Sequence, residues 1–88
     1  MTNTTEFTSI AKVRKAVNEI LKNATDFGRL LDEIRELEDR SGHFIVMLMS
    51  GDDIGEGYDD ERWYIWIENI RTEKEIIFDV NDIINSLD

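Results

Sequence analysis

The chain predicts an α+β fold in the order α-α-β-β-β-α: a helical hairpin packed on a three-stranded antiparallel β-meander, followed by a short C-terminal helix. Two observations predict it. Apolar residues recur at helical spacing through the first half, then give way to short runs rich in β-branched and aromatic residues. The connections between these runs are of hairpin length, so neighbours in sequence are expected to be neighbours in space. With 88 residues, no proline and no low-complexity linker, one small acidic domain is expected over 1–88, with residues 1–7 as a flexible N-terminus.

The first helix is expected from about Thr8 to Lys22. Ile10, Val13, Val17, Ile20 and Leu21 form its apolar stripe, and Thr8 or Ser9 can cap it. A second stripe runs Phe27, Leu30, Leu31, Ile34 and Leu37, with Thr25 as N-cap, Asp26 on the positive end of the helix dipole, and Ser41-Gly42 as the stop. Asn23 and Ala24 alone separate the two stripes, which implies an antiparallel hairpin. Residues 43–50 and 62–70 read as strands, and Lys74 to Val80 as a third, reached through a tight turn near Arg71-Thr72-Glu73. Asp79 or Asn81 can cap the last helix, which carries Ile83, Ile84 and Leu87.

Charge is unevenly placed. The formal net charge is −10, and residues 43–88 alone contribute −9, against +2 for residues 1–22. Such a field repels nucleic acid and anionic lipid and speeds encounter with basic proteins, so direct nucleic-acid and membrane binding are both disfavoured. The absence of cysteine removes disulfides, thiolate catalysis and zinc-thiolate sites. No signal-like or bilayer-length apolar run is present, so a cytoplasmic location is expected.

The densest charge lies in Gly51 to Glu61, with six carboxylates, three glycines and no basic residue. Drawn out at ~3.3 Å per residue, its carboxylates would stand some ~6 Å apart, within a few-fold of the charge density of duplex phosphates. Asp52, Asp53, Glu56, Asp59, Asp60 and Glu61 are therefore the candidate partner-binding residues, with Tyr58 to pack against the partner's wall. The competing reading is a solvated hairpin loop made of ordinary turn residues. A calcium loop does not fit: counting twelve from Asp52 reaches Trp63, and from Asp53 reaches Tyr64, where a closing glutamate is required. No metal or cofactor is expected.

Both central strands are apolar on both faces. Trp63, Ile65 and Ile67 alternate with Tyr64 and Trp66, as Phe44, Val46 and Leu48 alternate with Ile45, Met47 and Met49. Two helices cover one face, leaving the other to the final helix, to a partner or to a second copy of the chain. Met47, Met49, Tyr64 and Trp66 are the candidate interface on that second face. His43, the only histidine, has no cysteine to activate, and Ser41 and Ser50 stand in no nucleophile motif, so an enzyme is not expected.

The cluster from Asp52 to Glu61 beside Trp63-Tyr64-Ile65-Trp66 gives the chain a resemblance in composition, without an alignable motif. It resembles the small, acidic, cysteine-free α+β proteins of phages and mobile elements that inhibit host nucleic-acid enzymes, among them anti-CRISPR proteins and uracil-DNA glycosylase inhibitors. That resemblance implies a DNA-mimicking inhibitor whose partner is a basic protein, in particular a nucleic-acid-binding enzyme. Acidic immunity proteins that neutralise basic nuclease toxins share the same physics. The alternative of a different class is a structural or regulatory homodimer that uses the apolar sheet face.

Overall fold

The computed structural model describes residues 9–87, so the expectations for residues 1–7 and for Thr8 as a cap lie outside the described residues. Helix α1 spans Ile10–Asn23, and the Ser9 side chain accepts from the Lys12 N–H, satisfying one of the first-turn donors. Helix α2 spans Phe27–Ser41. Its cap is Asp26, whose carboxylate accepts from the Gly28 N–H, so the cap falls one residue later than the expected Thr25. Both residues can cap, and aspartate adds its negative charge to the positive helix end. Gly42 ends α2 at φ 82°, a conformation in which a side chain would be strained.

Strands β1 (Phe44–Ser50), β2 (Trp63–Asn69) and β3 (Glu75–Asp79) form one antiparallel sheet in the order β1-β2-β3. Between β1 and β2, where the sequence predicts a loop, lies the short helix α3 (Gly51–Ile54). The register sets Val46 opposite Ile67 and Ile65 opposite Phe78. With a side-chain period of two, this places Phe44, Val46, Leu48, Trp63, Ile65, Ile67, Ile76 and Phe78 on one face. That face meets the stripes of α1 and α2 in a single core containing Val13, Val17, Leu21, Leu30, Ile34 and Leu37. Leu31 departs from the expected stripe, being 37% exposed at the rim of α2.

Helix α4 (Asn81–Asn85) decides what happens to the other face. Val80 continues the parity of Phe78, and Val80 and Ile84 join the core on the helix side, with Leu87 packed against it. α4 therefore closes the end of the core and does not cross the second sheet face. Neither Asp79 nor Asn81 caps it as expected: the N-cap is Val80, without a side-chain bond. Asp79 instead accepts from the Asn81 N–H, and Asn81 uses its own Oδ1 to accept from the Trp63 N–H, joining the start of α4 to β2.

Candidate functional site

The uncovered face carries Ile45, Met47 and Met49 from β1, Tyr64, Trp66 and Glu68 from β2, and Glu75, Ile77 and Asp79 from β3. All four candidate interface residues belong to it. Met47 is 43% exposed, Met49 and Trp66 are half-buried, and Tyr64 is buried. The Trp66 indole Nε1 has no hydrogen-bond partner among the described residues. Tyr64 is buried by the acidic segment, and this contact makes two candidate sites into one.

The segment folds as a closed loop. The Gly51 N–H donates to the Arg62 carbonyl across its base, and Ser50 caps α3 through the Asp53 N–H. Gly55 and Gly57 take positive φ on the way to Tyr58. The chain then returns so close to its own start that a Cβ on Gly51 would meet the Asp59 carbonyl oxygen at 2.0 Å. The Tyr58 ring packs edge-on against Tyr64 with centroids 5.2 Å apart, and the Asp59 N–H donates to Tyr64 Oη at 3.2 Å. An extended array of charges on a mobile hairpin is thus replaced by a compact loop fastened to the open sheet face.

Folding sorts the six acids. Asp59 Oδ1 accepts from the Glu61 N–H at 2.9 Å and so shapes the turn. Asp52, Asp53, Glu56, Asp60 and Glu61 are all exposed to solvent. Tyr58, expected to meet a partner's wall, is half-buried in contact with Tyr64 of its own chain. Arg62, the one basic neighbour, is engaged elsewhere: its Nε donates to Asp79 Oδ2 at 2.6 Å and its Nη2 to Oδ1 at 3.3 Å. The Arg62 guanidinium and the Asn81 N–H together hold the Asp79 carboxyl below the usual carboxylate range, and Asp79 in turn raises Arg62. Arg62 thus pairs with Asp79 of β3 and not with a carboxylate of the loop.

The basic residues of α1 lie in the opposite layer. Lys12, Lys15 and Lys22 are exposed there, and the Arg14 guanidinium stacks over Phe78 at 4.3 Å. Among the described residues, no group of three or more His, Cys, Asp or Glu side chains is arranged to hold a metal ion. No helix among them is long and apolar enough to cross a membrane.

Two further residues matter that the sequence did not single out. Ile70 donates to the His43 carbonyl, and Gly51 to that of Arg62, so the odd-numbered residues of β1 bond to β2 and the even-numbered ones turn their backbone groups outward. Glu38 of α2 reaches over this free edge and accepts from the Val46 N–H at 3.1 Å, a guard against strand pairing. Gly51, the other, lets the loop close on itself. No family model, no curated protein and no solved structure matches this chain.

Proposed function

We propose that this chain is a small, non-enzymatic binding protein that inhibits a partner by occupying its basic nucleic-acid-binding surface. The observation that carries this reading is the fastening of the acidic loop onto the open apolar face through Tyr58, Tyr64 and Asp59. It produces a preorganised surface on which Asp52, Asp53, Glu56, Asp60 and Glu61 rim an apolar patch. Carboxylates in such an array stand in for phosphates toward arginine and lysine, and the adjoining Met47, Met49 and Trp66 supply desolvated contact area. Charge steers the encounter, while burial of the apolar centre slows dissociation. An inhibitor of this kind acts in the cytoplasm, where nucleic-acid enzymes work, and suits the economy of a phage or mobile element. Immunity toward a basic nuclease toxin is the same mechanism with a different partner.

The test is affinity purification from the native host, followed by binding measurements with the recovered partner. Asp60→Lys/Glu61→Lys is compared with Glu33→Lys/Glu36→Lys on α2, which changes the net charge equally. Asp59 is left intact because it shapes the turn. The loop reversal is expected to lower affinity by about tenfold or more and to flatten its salt dependence, whereas the α2 reversal produces a small, uniform loss. Equal losses from the two reversals would reduce the acidity to a solubilising role.

A further inference from the structure

The end of the open face remote from the acidic loop carries a second negative site. Register places Glu68 of β2 directly opposite Glu75 of β3. Asn69 donates to the Lys74 carbonyl and Val80 to that of Trp63, so the odd-numbered residues of β2 share the hydrogen bonds with β3. Glu68 and Glu75 therefore form a non-hydrogen-bonded pair, the position where facing side chains come closest. Like charges directly opposite one another repel. The ion pair between Arg62 and Asp79 lies at the other end of β2 and β3 and involves neither carboxylate. Lys74, next to Glu75 in sequence, lines a hollow with Ser9 and Ile10 on the helix side of the sheet, and Arg71 is exposed in the β2–β3 turn.

The open face is thus negative at the loop, apolar across Ile45, Met47, Trp66 and Ile77, and negative again at Glu68 and Glu75. We infer that it is the docking site for an amphipathic basic α-helix of a partner protein, laid along the strands with a cation over each acidic end. This rests on the binding reading above and gives the partner a shape. A second copy of the chain does not complement the face: in either face-to-face orientation acid meets acid, and Lys12, Lys15 and Lys22 lie in the other layer. An added strand is not favoured either, because pairing belongs to the sheet edges, and Glu38 occupies the Val46 N–H on the β1 edge. A helix satisfies its own backbone and offers side chains alone, which is what the face of a sheet receives. From Arg62 to Glu68 is six residues of strand, about 20 Å, and on a helix rising 1.5 Å per residue this corresponds to cations about 13 residues apart.

The experiment uses two synthetic helical peptides of about 18 residues with the same leucine stripe and the same number of lysines. One has lysines at both ends of the stripe, the other at one end only. Titration is followed by tryptophan fluorescence against the full chain, against Glu68→Gln/Glu75→Gln, and against Asp60→Lys/Glu61→Lys. The two-ended peptide is expected to bind the wild-type chain about tenfold tighter than the one-ended peptide, and Glu68→Gln/Glu75→Gln is expected to abolish that advantage. Removing two facing like charges should leave the fold intact, as checked by circular dichroism. Equal affinity of the two peptides, absence of binding, or an advantage that survives in Glu68→Gln/Glu75→Gln overturns the inference. Should Asp60→Lys/Glu61→Lys weaken the native partner while Glu68→Gln/Glu75→Gln has no effect on either ligand, the helix-docking inference fails and the loop-binding reading stands. Sedimentation showing a dimer that shields Trp66 assigns the face to a second copy and also overturns it.

Discussion

Gly51→Ala tests whether the acidic loop is built as a rigid unit, and two opposing effects make its sign informative. Gly51 opens α3 and its φ is not in the left-handed region, so alanine there gains backbone rigidity worth roughly 0.5–1 kcal/mol of stabilisation. Against this, the new Cβ would lie 2.0 Å from the Asp59 carbonyl oxygen and 2.5 Å from its carbon. Backbone must then move by more than about 1 Å to reach ordinary contact distances. That movement strains the bonds from Gly51 N–H to Arg62 O (3.0 Å), from Arg62 N–H to Asp59 O (3.1 Å) and from Asp59 N–H to Tyr64 Oη (3.2 Å). Overpacking and weakened bonds together should outweigh the helix term and destabilise by about 1–3 kcal/mol. Urea denaturation should show this as a lower midpoint at constant slope, and the Tyr58–Tyr64 ring-current shifts should diminish in NMR spectra. Unchanged or increased stability would refute the close packing of the loop on its own base.

The other expectations follow from burial and charge. Ile34→Ala should cost about 2–5 kcal/mol in chemical denaturation, and Leu31→Ala less than about 1 kcal/mol, because Ile34 is 3% exposed and Leu31 37%. Similar losses would place both in the core. Trp66→Phe should change stability by less than about 1.5 kcal/mol, since the lost area is offset by removing an indole N–H that has no partner, yet it should weaken binding to the native partner. Asp79 has a folded pKa below its unfolded value, so its contribution to stability is present above the ordinary carboxylate range and disappears as pH falls through the folded value. Asp79→Asn should therefore flatten the acid limb of stability against pH, and an unchanged limb would contradict the pairing with Arg62. Because both partners are 39% exposed, the effect is expected to be small. Glu38→Ala should leave the Val46 N–H open and promote concentration-dependent association detectable by sedimentation, whereas Glu38→Gln should remain monomeric at the β1 edge.

The layer architecture was legible because each element carries its own period. Val13, Val17 and Leu21 share a helical face, and alternate residues of Phe44 to Met49 and Trp63 to Ile67 divide between two sheet faces whatever the tertiary context. Leu31 departs from the expected stripe because it extends the stripe laterally, and the edge of the sheet beneath α2 decides whether a rim residue is covered. The open face was not decidable from composition, since it depends on where α4 turns. The parity of Val80 with Phe78 was a usable signal that α4 would join the helix side. The compactness of the acidic loop had local signals as well: Ser50-Gly-Asp-Asp53 has the spacing of a helix cap, and Asp59 two residues before Glu61 can form an Asx turn. The clasp of Tyr58 and Asp59 on Tyr64 and the reach of Glu38 to Val46 had no such signal. They join segments that only the assembled sheet brings together.

The central claim is that the loop and the open face form one binding surface, and mapping of backbone amide shifts on complex formation with the recovered partner tests it most directly. The account predicts perturbation of residues 45–49, of 52–68 and of 75–79, with the solvent-facing residues of α1 and α2 silent. A footprint on Lys12, Lys15 and Lys22, or on α2 alone, would contradict it.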